Sequence, residues 1–432
     1  MRMPCKYSGA SCSSLFPPEL VDQTIDHLHG DKATLKACSL VSRQWLNSTR
    51  HHLFRSTVIV GDSRHGFTGF LQFLATRPNI GLHIQELRLQ GEVNLSSGRP
   101  QICKHEMDDL FTRMPKLQKL DLFGVRFGGC DGRCCGRPYC PKPRDFDQVT
   151  VVGGSDTDDF ADTLDILRLF GDVLHFYVYE ITWRTSDMPN LGVFGRRLQE
   201  LGPPSQLQAH ALAIGHSYTP CSSLFCEIMR FTKSVNTLTA IGAECAGWDH
   251  IEATGELMRD IGPSLLHFHL DVALTLMGDE LPTDNQLRWR LLRLNTCPNL
   301  KSISVLLLLD DQPLIEESSE EERLYTCTNI LDILSTVQDS TSMRNVTIKF
   351  AFEAEEEPPS QVLEDSMDWA RLEEVLNGFA NLETVKMVFT DGADVLEECT
   401  PLLLEKMHTF DERGLLAIKV LNDENLPISA RV

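Results

Sequence analysis

Three stretches of this 432-residue chain share one form. They are Met114-Pro115-Lys116-Leu117-Gln118-Lys119-Leu120, Cys297-Pro298-Asn299-Leu300-Lys301-Ser302-Ile303 and Phe379-Ala380-Asn381-Leu382-Glu383-Thr384-Val385. Each ends an amphipathic run, turns on small or proline residues, and passes through a leucine into a β-prone segment. A helix end, a tight turn and a strand at near-constant period describe one repeating unit, buried only by its neighbours. That single constraint excludes most compact topologies.

The β-prone segments recur at Thr57–Val60, Leu87–Leu89, Leu120–Leu122, Val149–Val152, Tyr177–Tyr179, Ala211–Ile214 and Thr237–Ala240. They continue at Phe268–Leu270, Ile303–Leu306, Val346–Ile348, Val385–Val388 and Ala417–Val420, mostly in steps of about 28 to 43 residues. Helical periodicity fills the intervals at Gly66–Ala75, Glu106–Met114, Phe160–Phe170, Leu224–Phe231, Thr254–Ile261 and Trp369–Phe379. Residues 56–421 therefore read as an α/β array whose strands lie side by side in one parallel, curved sheet. The units resemble degenerate leucine-rich repeats, although none carries the full leucine–asparagine ladder and their lengths vary. The pattern also fits an irregular α/β domain with a mostly parallel sheet; the curved array is the reading preferred here. Residues 128–145 read as an inserted loop, and 310–323 and 353–366 as acidic loops.

Residues 15–55 follow a polar leader (1–14) and have a different character. Pro18 suits the first turn of a helix, where its missing N–H costs nothing. Leu20, Val21, Ile25 and Leu28 make one apolar stripe, with Glu19, Asp22 and Asp26 placed to favour the helix dipole. Gly30 and Asp31 suit a helix end and the next N-cap, Leu35, Cys38 and Val41 mark a second helix, and Ser42 caps a third containing Trp45. Three short helices bury little surface alone, so they must lean on the rest of the chain or on a partner.

Phe16-Pro17-Pro18-Glu19-Leu20, Ile25, Leu28, Leu35, Cys38-Ser39-Leu40-Val41-Ser42 and Trp45 together resemble an F-box, particularly those of fungal F-box proteins. Phe16 stands where that family usually has leucine. The resemblance implies a trihelical module that docks a Skp-type adaptor, and through it a cullin–RING ubiquitin ligase. Pro17, Pro18, Glu19, Leu20, Ile25, Leu28, Leu35, Cys38, Val41 and Trp45 are the adaptor-binding residues it implies. A helix-rich cap without a partner is the alternative. A helix-turn-helix DNA reader is disfavoured because the first helix is acidic where phosphate contacts need Lys or Arg.

Charge narrows the partners. The chain carries 40 basic and 61 acidic side chains, a net −21. From Asp310 onward there are 28 acidic and 9 basic residues, so the deficit is concentrated there. Nucleic acid and anionic membrane surfaces both call for a basic footprint of some size, and none is visible. The longest apolar run, Val305–Leu309, is far below the roughly 20 residues that span a bilayer. No secretory signal is visible, and 14 cysteines without one suggest reduced thiols in the cytoplasm or nucleus.

Candidate chemistry is thin. Cys130, Cys134, Cys135 and Cys140 form C-x3-C-C-x4-C, a weak zinc pattern that lacks the C-x2-C turn and sits among glycines and prolines. Val152-Gly153-Gly154-Ser155 is no phosphate loop, and Asp156, Asp158 and Asp159 lack the rest of a calcium loop. His27, His29, His51 and His52 fit exposure or partner contact better than metal. The run Glu316–Glu322 and the run Glu353–Glu357 read as solvated loops, or as an electrostatic guide for a basic client. The expectation is a substrate receptor with no catalytic residue and no cofactor. Its client and client-binding residues are unknown, and residues 422–432 are a tail. A scaffold that binds partners without forming a ligase is the alternative; an enzyme built on the array has no positive support.

Overall fold

The computed structural model describes residues 17–41, 45–91, 99–128, 142–153, 160–180, 191–215, 221–245, 247–272, 289–309, 320–337, 340–352, 357–390 and 392–421. The fold is α/β. Its strands are β1 (Ser56–Gly61), β2 (Glu86–Gly91), β3 (Gln101–Ile102), β4 (Lys119–Phe123), β5 (Arg126–Phe127), β6 (Arg144–Val152) and β7 (Phe170–Tyr179). They continue as β8 (Gln208–Gly215), β9 (Ala240–Cys245), β10 (His267–Val272), β11 (Ser302–Leu309), β12 (Asn345–Phe352), β13 (Thr384–Phe389) and β14 (Leu416–Val420). Twelve of them make one sheet in the order β1-β2-β4-β6-β7-β8-β9-β10-β11-β12-β13-β14, and every pairing is parallel. The short β3 and β5 pair separately, also in parallel.

That order never doubles back. Parallel crossovers are right-handed, so strands that always advance in the same direction put every connecting helix on one face. The alternation along the strands agrees. Leu87, Leu89, Leu120, Leu122, Phe268 and Leu270 point into one continuous core, while their neighbours Arg88, Asp121 and His269 stand on the other face.

The lead-in leucine is more widespread than the three motifs suggest. Ile84, Leu117, Leu238, Leu265, Leu300, Met343 and Leu382 each lie two residues before a strand, and all are buried. The residue after each accepts or donates a rung to the adjacent unit, as in Lys301 N to Leu266 O at 2.8 Å and Arg344 N to Lys301 O at 2.9 Å. Asn299 and Asn381 in the motifs donate to the preceding unit's turn, to Pro263 O at 2.8 Å and Thr341 O at 2.6 Å. The motif's side chains thus tie one unit to the last as well as filling the core.

Several boundaries differ from expectation. The strand expected at Thr237–Ala240 begins at Ala240, because Lys233–Asn236 forms a 3-10 turn and Leu238 serves as the buried lead-in. The helix expected to reach Phe170 stops at Leu167, and the buried Phe170 opens β7; a continuous apolar run hid that change of period. Within the expected loop 128–145, Arg144 and Asp145 already belong to β6. The acidic loops are partly helical. Glu320–Ser335 is a helix, and so is Pro359–Ser366, where Pro359 opens the first turn and Val362 and Leu363 are buried. No helix among the described residues is long and apolar enough to cross a membrane.

Candidate functional site

The first surface to consider is formed by the helices α1 (Pro18–His27), α2 (Lys32–Val41) and α3 (Trp45–Arg55). Asp31 caps α2, accepting from the backbone N–H groups of Ala33 and Thr34 at 3.0 Å each, as the sequence implied. The proposed cap Ser42 lies outside the described residues. Val21, Ile25, Leu35 and Cys38 form a small core separate from that of the sheet, with Leu28, Trp45 and Leu53 packed against it. Asp26 crosses to α3, where His52 Nε2 lies 2.7 Å from its Oδ1.

This core divides the ten implied adaptor residues. Ile25 and Leu35 are fully buried and Cys38 nearly so. Leu28 and Trp45 are half-buried supports of the same cluster. Pro17, Glu19, Leu20 and Val41 are exposed, and Pro18 opens α1. Leu20 is 49 % exposed, Val41 65 % and Leu40, absent from the implied set, 87 %. An accessible leucine and a neighbouring valine at the end of α2 are unsupported by the module itself. Helical spacing explains the split: Leu35 and Cys38 are three apart on the inner face, whereas Leu40 falls on the outer one.

The second surface is the sheet face opposite the connecting helices. On β7, His175 stacks on Tyr177 at 6.3 Å and Tyr177 on Tyr179 at 6.4 Å. The register sets this aromatic row beside Ala211, Ala213 and Gly215 on β8, and then beside Ala240 and Gly242 on β9. A Cβ at Gly215 would meet Tyr179 and Glu244 at 2.7 to 3.0 Å, so those side chains would have to shift to admit one. His267 and His269 on β10 follow, with His267 Nδ1 2.7 Å from Ser302 Oγ. Burial, with help from Lys349, pushes the pKa of His269 down to about 3, so this ring is neutral at pH 7. Towards the other end, Arg88 lies over Phe123 at 4.6 Å and pairs with Asp121 at 3.1 Å.

The first surface pairs His52 with a carboxylate, and the second brings one hydroxyl and one imidazole, Ser302 and His267, within hydrogen-bond reach. Among the described residues, no group of three His, Cys, Asp or Glu side chains could hold a metal ion. Cys130, Cys134, Cys135 and Cys140 lie outside the described residues. The described free cysteines Cys38, Cys103, Cys226, Cys297, Cys327 and Cys399 are all buried, and burial raises the thiol pKa of Cys226 and Cys327 to about 12. Such thiols are inert as nucleophiles.

No protein-family model matches this chain, and no curated protein sequence matches it significantly.

Proposed function

We propose that this chain is a non-catalytic receptor. Its F-box-like helices dock a Skp-type adaptor, and its strand–helix units, a leucine-rich-repeat-like solenoid, hold a protein client for ubiquitination by a cullin–RING ligase. The observation that carries the reading is the division within the helical module. A core of four residues supports three helices, yet Leu20, Leu40 and Val41 are left in water, the pattern of a surface that another protein covers. The strictly sequential parallel sheet, open between β1 and β14, supports the solenoid reading, because a one-dimensional stack pairs each strand with the next. Such a receptor acts by raising local concentration and fixing geometry, so no side chain of this chain needs to react. A cytoplasmic or nuclear setting goes with the proposal, and the buried free thiols are in keeping with it.

The test is capture of a Skp-type adaptor by the full chain, compared with the Leu20→Asp, Leu40→Asp and Val41→Asp variants. Wild-type capture lost in the exposed-site variants, with the circular dichroism unchanged, supports the reading. Absence of capture by the wild type sinks it.

A further inference from the structure

The chain's net charge of −21 makes any unpaired cluster of cations conspicuous. One lies where α3 meets the first units of the sheet. His51 of α3 faces His83 edge-on at 6.4 Å, and His52 is 5.1 Å from His51. Burial lowers the pKa of both His51 and His83, and every charged neighbour acts in the same direction. For His51 these neighbours are His52, His83, Arg55 and Lys116; for His83 they are Lys116 and Arg50. His52 is held by Asp26. Arg50, Arg55 and Lys116 form no ion pair among the described residues.

Backbone rungs set these groups along one edge of the sheet. Gln85 N bonds Arg55 O at 2.9 Å, Gln118 N bonds Gln85 O at 2.7 Å, and Asp147 N bonds Gln118 O at 2.9 Å. Lys116 also forms part of a cleft of about 650 Å³ that continues past Gln85 and Gln118 to Lys142 and Arg144. Two carboxylates, Asp108 and Asp145, line it, and the charge of Asp145 acts on Arg144. Asp145 accepts the Asp172 backbone N–H at 2.8 Å, and burial raises the pKa of Asp108. Arg144 is committed to Phe111 O at 2.6 Å and Leu117 O at 3.3 Å, leaving Lys116 and the exposed Lys142 as its free cations.

We infer that this edge, from Arg50 and Arg55 through Lys116 to the cleft, binds a carboxylate-rich peptide segment of a partner protein. The row crosses four strands, roughly 14 Å at the usual strand spacing. That span exceeds a single small anion and suits an extended segment presenting acidic side chains in succession. The cleft volume falls within the range of specific ligand sites. Bound carboxylates reverse the local field at His51 and His83, so binding takes up protons and tightens as pH falls. The inference does not depend on the adaptor reading.

The experiment uses the full-length chain and a labelled oligoglutamate peptide at about 0.15 M salt, where long-range attraction is screened. Expected is saturable binding that strengthens between about pH 8 and about pH 6, the range in which histidine changes charge. Arg50→Gln with Lys116→Gln should weaken it about tenfold or more, the loss of charge-assisted contacts. Lys116→Arg should retain binding, and His51→Gln with His83→Gln should flatten the pH dependence. Lys386→Gln, on β13, should change nothing. The proposal is overturned if the peptide does not bind, if the Arg50/Lys116 double variant binds as well as wild type, or if inorganic phosphate binds while the peptide does not.

Discussion

The indole N–H of Trp289 donates to Asn329 Oδ1 at 3.0 Å, and neither side chain reaches water. Trp289 belongs to the segment before β11 and Asn329 to the helix after it, so one neutral hydrogen bond joins two units inside the core. Asn329→Leu leaves the indole donor unpaired, and the expected cost is about 1–3 kcal/mol. Denaturant unfolding followed by tryptophan fluorescence checks it. An unchanged midpoint would show that the contact is dispensable.

Asp332, one turn further along that helix, is 3 % exposed and receives Arg371 Nη2 at 2.5 Å. Removing the guanidinium strands a buried carboxylate. Arg371→Met should therefore destabilise by about 3–5 kcal/mol, and the double variant Arg371→Met with Asp332→Leu should recover much of that loss. Thermal unfolding of the three proteins measures both effects, and lack of recovery in the double variant would refute the argument.

Acid sensitivity follows from two histidines. Burial lowers the pKa of His250 to about 4, with the Glu244 backbone opposing, and that of His269 to about 3, from an ordinary value of 6.5. Below 6.5 the unfolded chain takes up protons that the folded chain refuses, so stability falls with pH through that window. It levels off only near the folded pKa values. His250→Gln should make the slope of Tm between about pH 7 and about pH 5 shallower than in wild type. An equal slope in both proteins would count against it.

Within the helical module, inner and outer leucines should behave oppositely. Leu35 is fully buried, and Leu35→Asp forces an unpaired charge into the small core, costing several kcal/mol. Leu40→Asp alters an exposed site and should leave stability within about 0.5 kcal/mol of wild type. Limited proteolysis near α1–α3 distinguishes the two variants. Equal susceptibility would mean the core has been misplaced.

The sheet was legible because short β-prone segments recur at a near-constant step, three of them entered through the same turn and leucine. All twelve segments contribute to it, with β9 displaced by the turn at Lys233–Asn236. The two-residue strands β3 and β5 have no such pattern and escaped notice. The helical module was legible as three helices but not as surfaces, since the resemblance drew Leu35 and Leu20 together without saying which one faces water. The cationic edge was invisible for another reason. Arg50, His83 and Lys116 lie in three different units, and only the stacking of those units makes them neighbours.

Sequential pairing also bears on how the chain is made. Each strand finds its partner in the unit synthesised just before it, a few tens of residues upstream. Nothing in the sheet waits for the carboxyl end, as it would if a late strand had to insert between early ones. Assembly can therefore keep pace with the ribosome, each emerging unit closing over the apolar edge left by the last. Stalled or truncated products would then carry one raw strand edge wherever synthesis ceased, the place that β14 holds among the described residues.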